Sequence, residues 1–148
     1  MVAIKPGNGL KTPDNGLGAN RPAFTAILTP TLTQLSGNSA IILFDNVILN
    51  RGEGYDPKTG IFRAPKTGLY QFSATVMPYQ TDLYGSIAKN GKDIAFLYGY
   101  RAYSSTSSAS IVLELKEGDS VSVKHSQANT ENVFGNNFSF FSGYYISE

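Results

Sequence analysis

Apolar and polar residues alternate with a period of two along most of this chain. Tyr70, Phe72, Ala74 and Val76 interleave with Gln71, Ser73, Thr75 and Met77, which predicts a strand over residues 69–77 with one buried face. Residues 108–115 set Ile111, Leu113 and Leu115 on one side, and residues 120–125 set Val121, Val123 and His125 on one side. Between them Lys116-Glu117-Gly118-Asp119 predicts a turn. Residues 23–28 form the first predicted strand, followed by a Thr- and Ser-rich link to Gly37. Two short apolar runs, 40–44 and 47–50, are separated by Asp45-Asn46, which reads as a tight turn. Residues 84–89 and 93–98 flank Asn90-Gly91, a pair that tolerates the positive φ of a type I′ hairpin. The last strand is expected over 137–147, with Phe138, Phe140, Tyr144 and Ile146 on one side. No segment sustains a helical period, so the fold class is all-β.

Turn chemistry supports the same reading. In Asp56-Pro57-Lys58-Thr59-Gly60 the proline fixes φ and the glycine tolerates a positive one, after which Phe62 re-enters the core. Ala64-Pro65-Lys66-Thr67-Gly68 makes a second turn into the long strand. At 148 residues the chain fits one domain, enough to bury roughly 70% of the surface of its unfolded form. Residues 1–22, rich in Gly, Asn and Pro, are expected to be a flexible tail or linker, and residues 23–148 the domain. The tail repeats Asn-Gly-Leu twice but lacks the Gly-X-Y period of collagen.

Charge and reactive residues narrow the function. The formal net charge of +1 comes from well-mixed signs with no basic run, which argues against a nucleic-acid partner. No apolar run approaches the ~20 residues of a membrane span. With no cysteine and one histidine, a structural zinc site or a Cys-His pair within one chain is excluded. A serine triad would need His125, which reads as a satisfied core or interface histidine. Asp45, Glu53, Asp56, Asp82, Asp93, Glu117, Asp119 and Glu131 mostly fall in expected turns, where acids form turns or are solvated. The chain reads as non-enzymatic, with no cofactor.

From Phe44 the aromatics and glycines recur at fixed spacings: five residues to Asn50, four to Tyr55, six to Phe62, five to Gly68, then Tyr70 and Phe72. This spacing resembles the signature of the globular domain of complement C1q. Ala23-Phe24-Thr25-Ala26, Asn90-Gly91, the stretch from Leu113 to Val121 and Phe141-Ser142-Gly143-Tyr144 are similar to other parts of that family, so the resemblance covers about residues 22–148. One position departs: Ala74 stands where the signature usually has Phe or Tyr. The resemblance implies a ten-stranded jelly roll shared with tumour necrosis factor ligands, a tight homotrimer and an extracellular, secreted protein. Several relatives bind calcium near the mid-domain hairpin. The matching stretch here, 98–105, has no Asp or Glu and includes Arg101, so calcium is not expected there.

Two surfaces stand out. Tyr98, Tyr100, Arg101 and Tyr103 combine aromatic platforms with a cation in a small, polar stretch, a composition suited to carbohydrate or to an acidic sugar. Tyrosines alternating along a strand also serve as interface packing. The final strand offers Phe138, Phe140, Phe141, Tyr144 and Tyr145 on both of its sides, and one side is expected to meet a neighbouring subunit. Asn137-Phe138-Ser139 matches a glycosylation sequon at the start of that strand. Three functions fit: a lectin-like module binding glycans or microbial surfaces in innate immunity, a cytokine-like or adapter ligand for a protein receptor, and a trimerisation domain of a coat or matrix protein.

Overall fold

A computed structural model describes residues 20–101 and 105–148. Twelve strands lie in this order: β1 (Ala23–Leu28), β2 (Leu32–Ser36), β3 (Asn46–Arg51), β4 (Tyr55–Asp56), β5 (Ile61–Arg63), β6 (Gly68–Val76), β7 (Leu83–Lys89), β8 (Lys92–Gly99), β9 (Ser107–Leu115), β10 (Ser120–His125), β11 (Thr130–Phe134) and β12 (Ser139–Ser147). Ten of them form two five-stranded sheets, β3-β1-β12-β6-β9 and β4-β5-β10-β7-β8. The remaining two, β2 and β11, pair as a ribbon. Two antiparallel sheets with apolar inner faces make the expected jelly-roll sandwich.

The alternation read from the sequence is what fills the space between the sheets. Tyr70, Phe72, Ala74 and Val76 on β6 are all buried, while Leu69, Gln71, Ser73 and Thr75 face outward. Phe24 organises the aromatic core: it stacks on Tyr55 and Phe62 at 5.1 and 5.0 Å and meets the Phe141 edge at 4.9 Å. Gly143 is required by this cluster, because a Cβ there would lie 2.5 Å from Phe72 and 2.9 Å from Phe24. The missing ring at Ala74 is offset by its direct partner on β12, Phe141, which is buried in the same core.

Several local expectations are corrected. Residues 40–44 keep the alternation, with Ile42 and Phe44 buried, yet they form only an isolated bridge between Ile41 and Lys124. Asn46 begins β3, and Asp45 does not turn the chain; its carboxylate accepts hydrogen bonds from the N–H and hydroxyl of Thr29. The Thr- and Ser-rich link contains β2, whose partner β11 the alternation did not reveal. Asn136 and Asn137 have left-handed φ of 48° and 69°, so Asn137 and Phe138 sit in a turn before β12. The hairpin at Asn90-Gly91 is as expected, with φ of 51° and 81°. Residues 1–19 of the expected tail lie outside the described residues.

Candidate functional site

Tyr84 and Tyr98 stand on the outward face of the second sheet, paired across β7 and β8, with ring centroids 4.6 Å apart and planes tilted by 40°. Tyr100 continues the row at 6.5 Å from Tyr98. Leu83 and Leu97, one residue earlier on each strand, are buried, which anchors the outward tyrosines on packed backbone. The end of β8 is further fixed by hydrogen bonds from Tyr98 N–H to Ser107 Oγ (3.0 Å) and from Arg101 N–H to Asp82 Oδ1 (3.1 Å). Desolvation, followed by the Asp82 carboxylate, raises the Tyr98 hydroxyl above the ordinary tyrosine range. The structure thus brings Tyr98, Tyr100 and the Arg101 backbone together with Asp82 and Tyr84. Tyr103 lies outside the described residues.

The stripe extends beyond the predicted residues. Phe96 is 69% exposed and Ile94 43% exposed on the same strand, against 45% for Tyr98 and 42% for Tyr100. Behind it, the Tyr84 N–H donates to Glu131 Oε1 at 2.8 Å, and His125 Nε2 lies 2.8 Å from that same oxygen. His125 Nδ1 faces the Gly37 carbonyl at 2.9 Å and must carry a proton, since a carbonyl only accepts. His125 is fully buried with both ring nitrogens occupied, so it ties β10, β11 and the 37–40 loop together and has no serine partner. Glu131 is therefore a buried strand residue, not a turn acid. Asp93 likewise lies in β8, where Ser86 donates to it at 2.6 Å and Lys124 pairs with it at 3.2 Å.

The outward face of the first sheet is the second candidate surface. Its middle row reads Leu49, Thr25, Ser142, Ser73 and Ser110 across β3-β1-β12-β6-β9. The hydroxyls are linked: Gln71 Nε2 donates to Ser110 Oγ at 2.7 Å, Ser73 and Ser110 lie 3.1 Å apart, and Thr75 and Ser108 2.8 Å apart. Tyr144 frames this patch and donates to Gln71 at 2.8 Å.

This face divides the five aromatics expected at a subunit interface. Phe140 and Tyr144 do point outward. Phe141 does not; it is fully buried in the sandwich core. Tyr145 turns back against Tyr70 at 5.4 Å, under Lys66, and Phe138 stacks on Phe134 at 5.5 Å in the turn before β12. The reason is the period of two: neighbours along one strand cannot share a face.

Other features carry less chemistry. An open depression of about 460 Å³ is lined by Glu53, Asp56, Arg63 and Glu117 together with small, apolar and glycine residues. Among the described residues no three of His, Asp and Glu gather as a metal site. None of the described helices is long and apolar enough to cross a membrane.

With this geometry in place, comparison with known proteins is direct. The C1q domain model matches residues 23–146. The chain is 31% identical over 129 residues to the mouse collagen alpha-1(X) chain, covering 84% of this chain and 18% of that one. It is 33% identical over 100 residues to human complement C1q tumor necrosis factor-related protein 3, covering 65% of this chain and 41% of that protein. The matches thus span less than half the length of these relatives. Among solved structures, the globular domain of zebrafish complement 1qA aligns with a TM-score of 0.69 at 19% identity, over 86% of this chain and 98% of that one. Murine APRIL at pH 8.0 aligns with a TM-score of 0.67 at 16% identity, over 85% and 99%. These two likenesses are of fold. C1q/TNF-like domains form trimers and are recognition or ligand modules, and the collagen and C1q-related relatives are extracellular. The aromatic core around Phe24, the two five-stranded sheets and the match over residues 23–146 lead to one conclusion: the chain belongs to the C1q domain family.

Proposed function

We propose that this protein is a homotrimeric, non-enzymatic recognition module working outside the cell, and that the surface of Tyr84, Tyr98, Tyr100 and Arg101 takes carbohydrate on microbial or other cell surfaces, a role in innate immunity. The observation that carries the reading is the outward tyrosine row, with centroids 4.6 and 6.5 Å apart, beside the Asp82 carboxylate. Tyrosine faces stack on the apolar faces of sugar rings while their hydroxyls and a carboxylate bond sugar hydroxyls. Three such rows in one trimer turn weak single-site binding into avidity. A glycan array with the whole chain, repeated with Tyr98→Ala, tests this. Signal lost in the variant at unchanged trimer mass supports the reading, and signal equal in both overturns it.

A second reading is favoured by Phe96 and Ile94, which prolong the row into an apolar strip along an edge strand. Such a strip suits a protein receptor. On that reading a stable protein complex forms and is lost in Phe96→Ser, whereas a carbohydrate site centred on the tyrosines survives that change.

A further inference from the structure

We propose that neighbouring copies are locked in register by an ion pair between Arg51 of one copy and Glu114 of the next. The inference rests on the homotrimer reading and names the contact that sets its geometry. The first sheet has β3 at one edge and β9 at the other. Arg51 is paired with Ala23 and shares its outward face, and Glu114 is paired with Leu69 and shares that outward face. Across the strand positions on this face, these two are the only charges, one at each edge. Both are exposed, and neither makes an ion pair within its own chain among the described residues. The Lys89 ammonium, near by, binds the backbone carbonyl of Glu114 at 3.1 Å.

Between the two charges lies a neutral surface, small and hydroxyl-bearing at Thr25, Ser73, Ser110 and Ser142, with Tyr144 and Val112 as exposed apolar contacts. Such a face lets another copy approach closely. A ring closes when each copy offers one edge to its predecessor and the other to its successor, a head-to-tail contact repeated three times. A positive edge and a negative edge on one face supply complementary ends for that contact, and like edges repel.

The chain has no cysteine, which makes a direct test available. Within one chain the two positions are four strand spacings apart, about 19 Å, far beyond the ~7 Å that a disulfide spans between Cα atoms. In the full chain carrying Arg51→Cys and Glu114→Cys, mild oxidation is expected to give a covalent trimer on a non-reducing gel, with each single variant running as a monomer. A trimer by light scattering that fails to cross-link overturns the pairing and leaves the trimer standing. A covalent dimer with no trimer overturns it in favour of a two-fold contact. A monomer mass for the unaltered chain overturns the trimer itself. Charge reversal is the second arm: Arg51→Glu and Glu114→Arg each raise the concentration for half-dissociation about tenfold, and the double reversal restores it. Equal assembly in all three variants overturns the pair.

Discussion

Tyr84 and Tyr98 face each other on β7 and β8 because β8 holds one extra residue. Lys89 pairs with Lys92 and Ala88 with Asp93, but Ile87 then pairs with Ala95, leaving Ile94 in a bulge. An unbulged hairpin from Asn90-Gly91 would put Leu97 opposite Tyr84. The shift by one sets two tyrosines opposite each other on the outward face and Leu97 in the core.

The first prediction follows from that placement. Tyr98→Ala removes an outward ring that no core residue depends on, so unfolding free energy changes by at most about 1 kcal/mol. Deleting Ile94 removes the bulge but leaves Tyr98 opposite Tyr84, because every pair from Ile87 and Ala95 onward is kept, so it too is expected to cost at most about 1 kcal/mol. Urea titrations of both variants check this. A loss of more than about 3 kcal/mol on deleting Ile94 would mean that the bulge itself, and not only the register beyond it, holds the hairpin in place.

The same bulge marks where the sequence stops being legible. Alternation located β6, β9, β10 and the β7–β8 hairpin because each has an apolar inner face, and Asn90-Gly91 fixed the turn. It could not show Ile94 as an insertion, because an isoleucine at an exposed bulge looks like one more strand residue. It also could not show β2 and β11. Their ribbon buries Glu131 and Asn132 beside Leu35 and Val133, and the groups that hold them lie outside the ribbon: His125 and the Tyr84 N–H on the Glu131 carboxylate, and the Thr81 hydroxyl on the Asn132 backbone N–H. A buried acid held by a histidine six residues earlier, on another strand, and by the backbone N–H of Tyr84 has no period that marks it. Of the candidate site, the tyrosines at 98 and 100 were visible, while Tyr84 entered only through the shifted register.

A second prediction concerns His125. Replacing it with leucine leaves the Glu131 carboxylate buried, with the Tyr84 N–H as its remaining partner. Breaking a buried pair from one side costs about 3–5 kcal/mol. Replacing both His125 and Glu131 with leucine is expected to cost less than the sum of the single changes, since no lone charge remains. Chemical denaturation of the three variants measures the coupling, and strict additivity would rule out the pair as a unit.

Packing gives the third. Gly143→Ala places a methyl 2.5 and 2.7 Å from two atoms of the Phe72 ring and 2.9 Å from Phe24. Both rings are held in the stacked core, so neither moves without disturbing Phe62 or Phe141. Overpacking of this kind costs about 1–3 kcal/mol. A melting temperature unchanged from the parent would show that the core yields more than its ring stacking implies.

Acid stability provides the last prediction. Three aspartates have carboxyls held below the ordinary value of 3.8: Asp45, where desolvation is the largest single influence and raises it but is outweighed by the combined hydrogen bonds from the Thr29 hydroxyl and N–H and its own N–H, Asp93 chiefly by the Ser86 hydroxyl with help from Lys124, and Asp119 by the Lys116 N–H and then Asn90. A carboxyl that is more acidic folded than unfolded stabilises the fold fully above the unfolded value, and that contribution fades as protonation proceeds through the lower folded value. Stability contributed by these groups should therefore be constant from neutral pH down to about 5 and fall progressively from there through pH 3.8 and below. Asp93→Asn removes one of the three, so its stability is lower at neutral pH and declines less steeply in acid. Unfolding free energies of the parent and variant between pH 6 and 2.5 give the two slopes directly. Parallel slopes would mean that Asp93 titrates alike in the folded and unfolded chains, and that its contact with Ser86 and Lys124 contributes nothing dependent on charge.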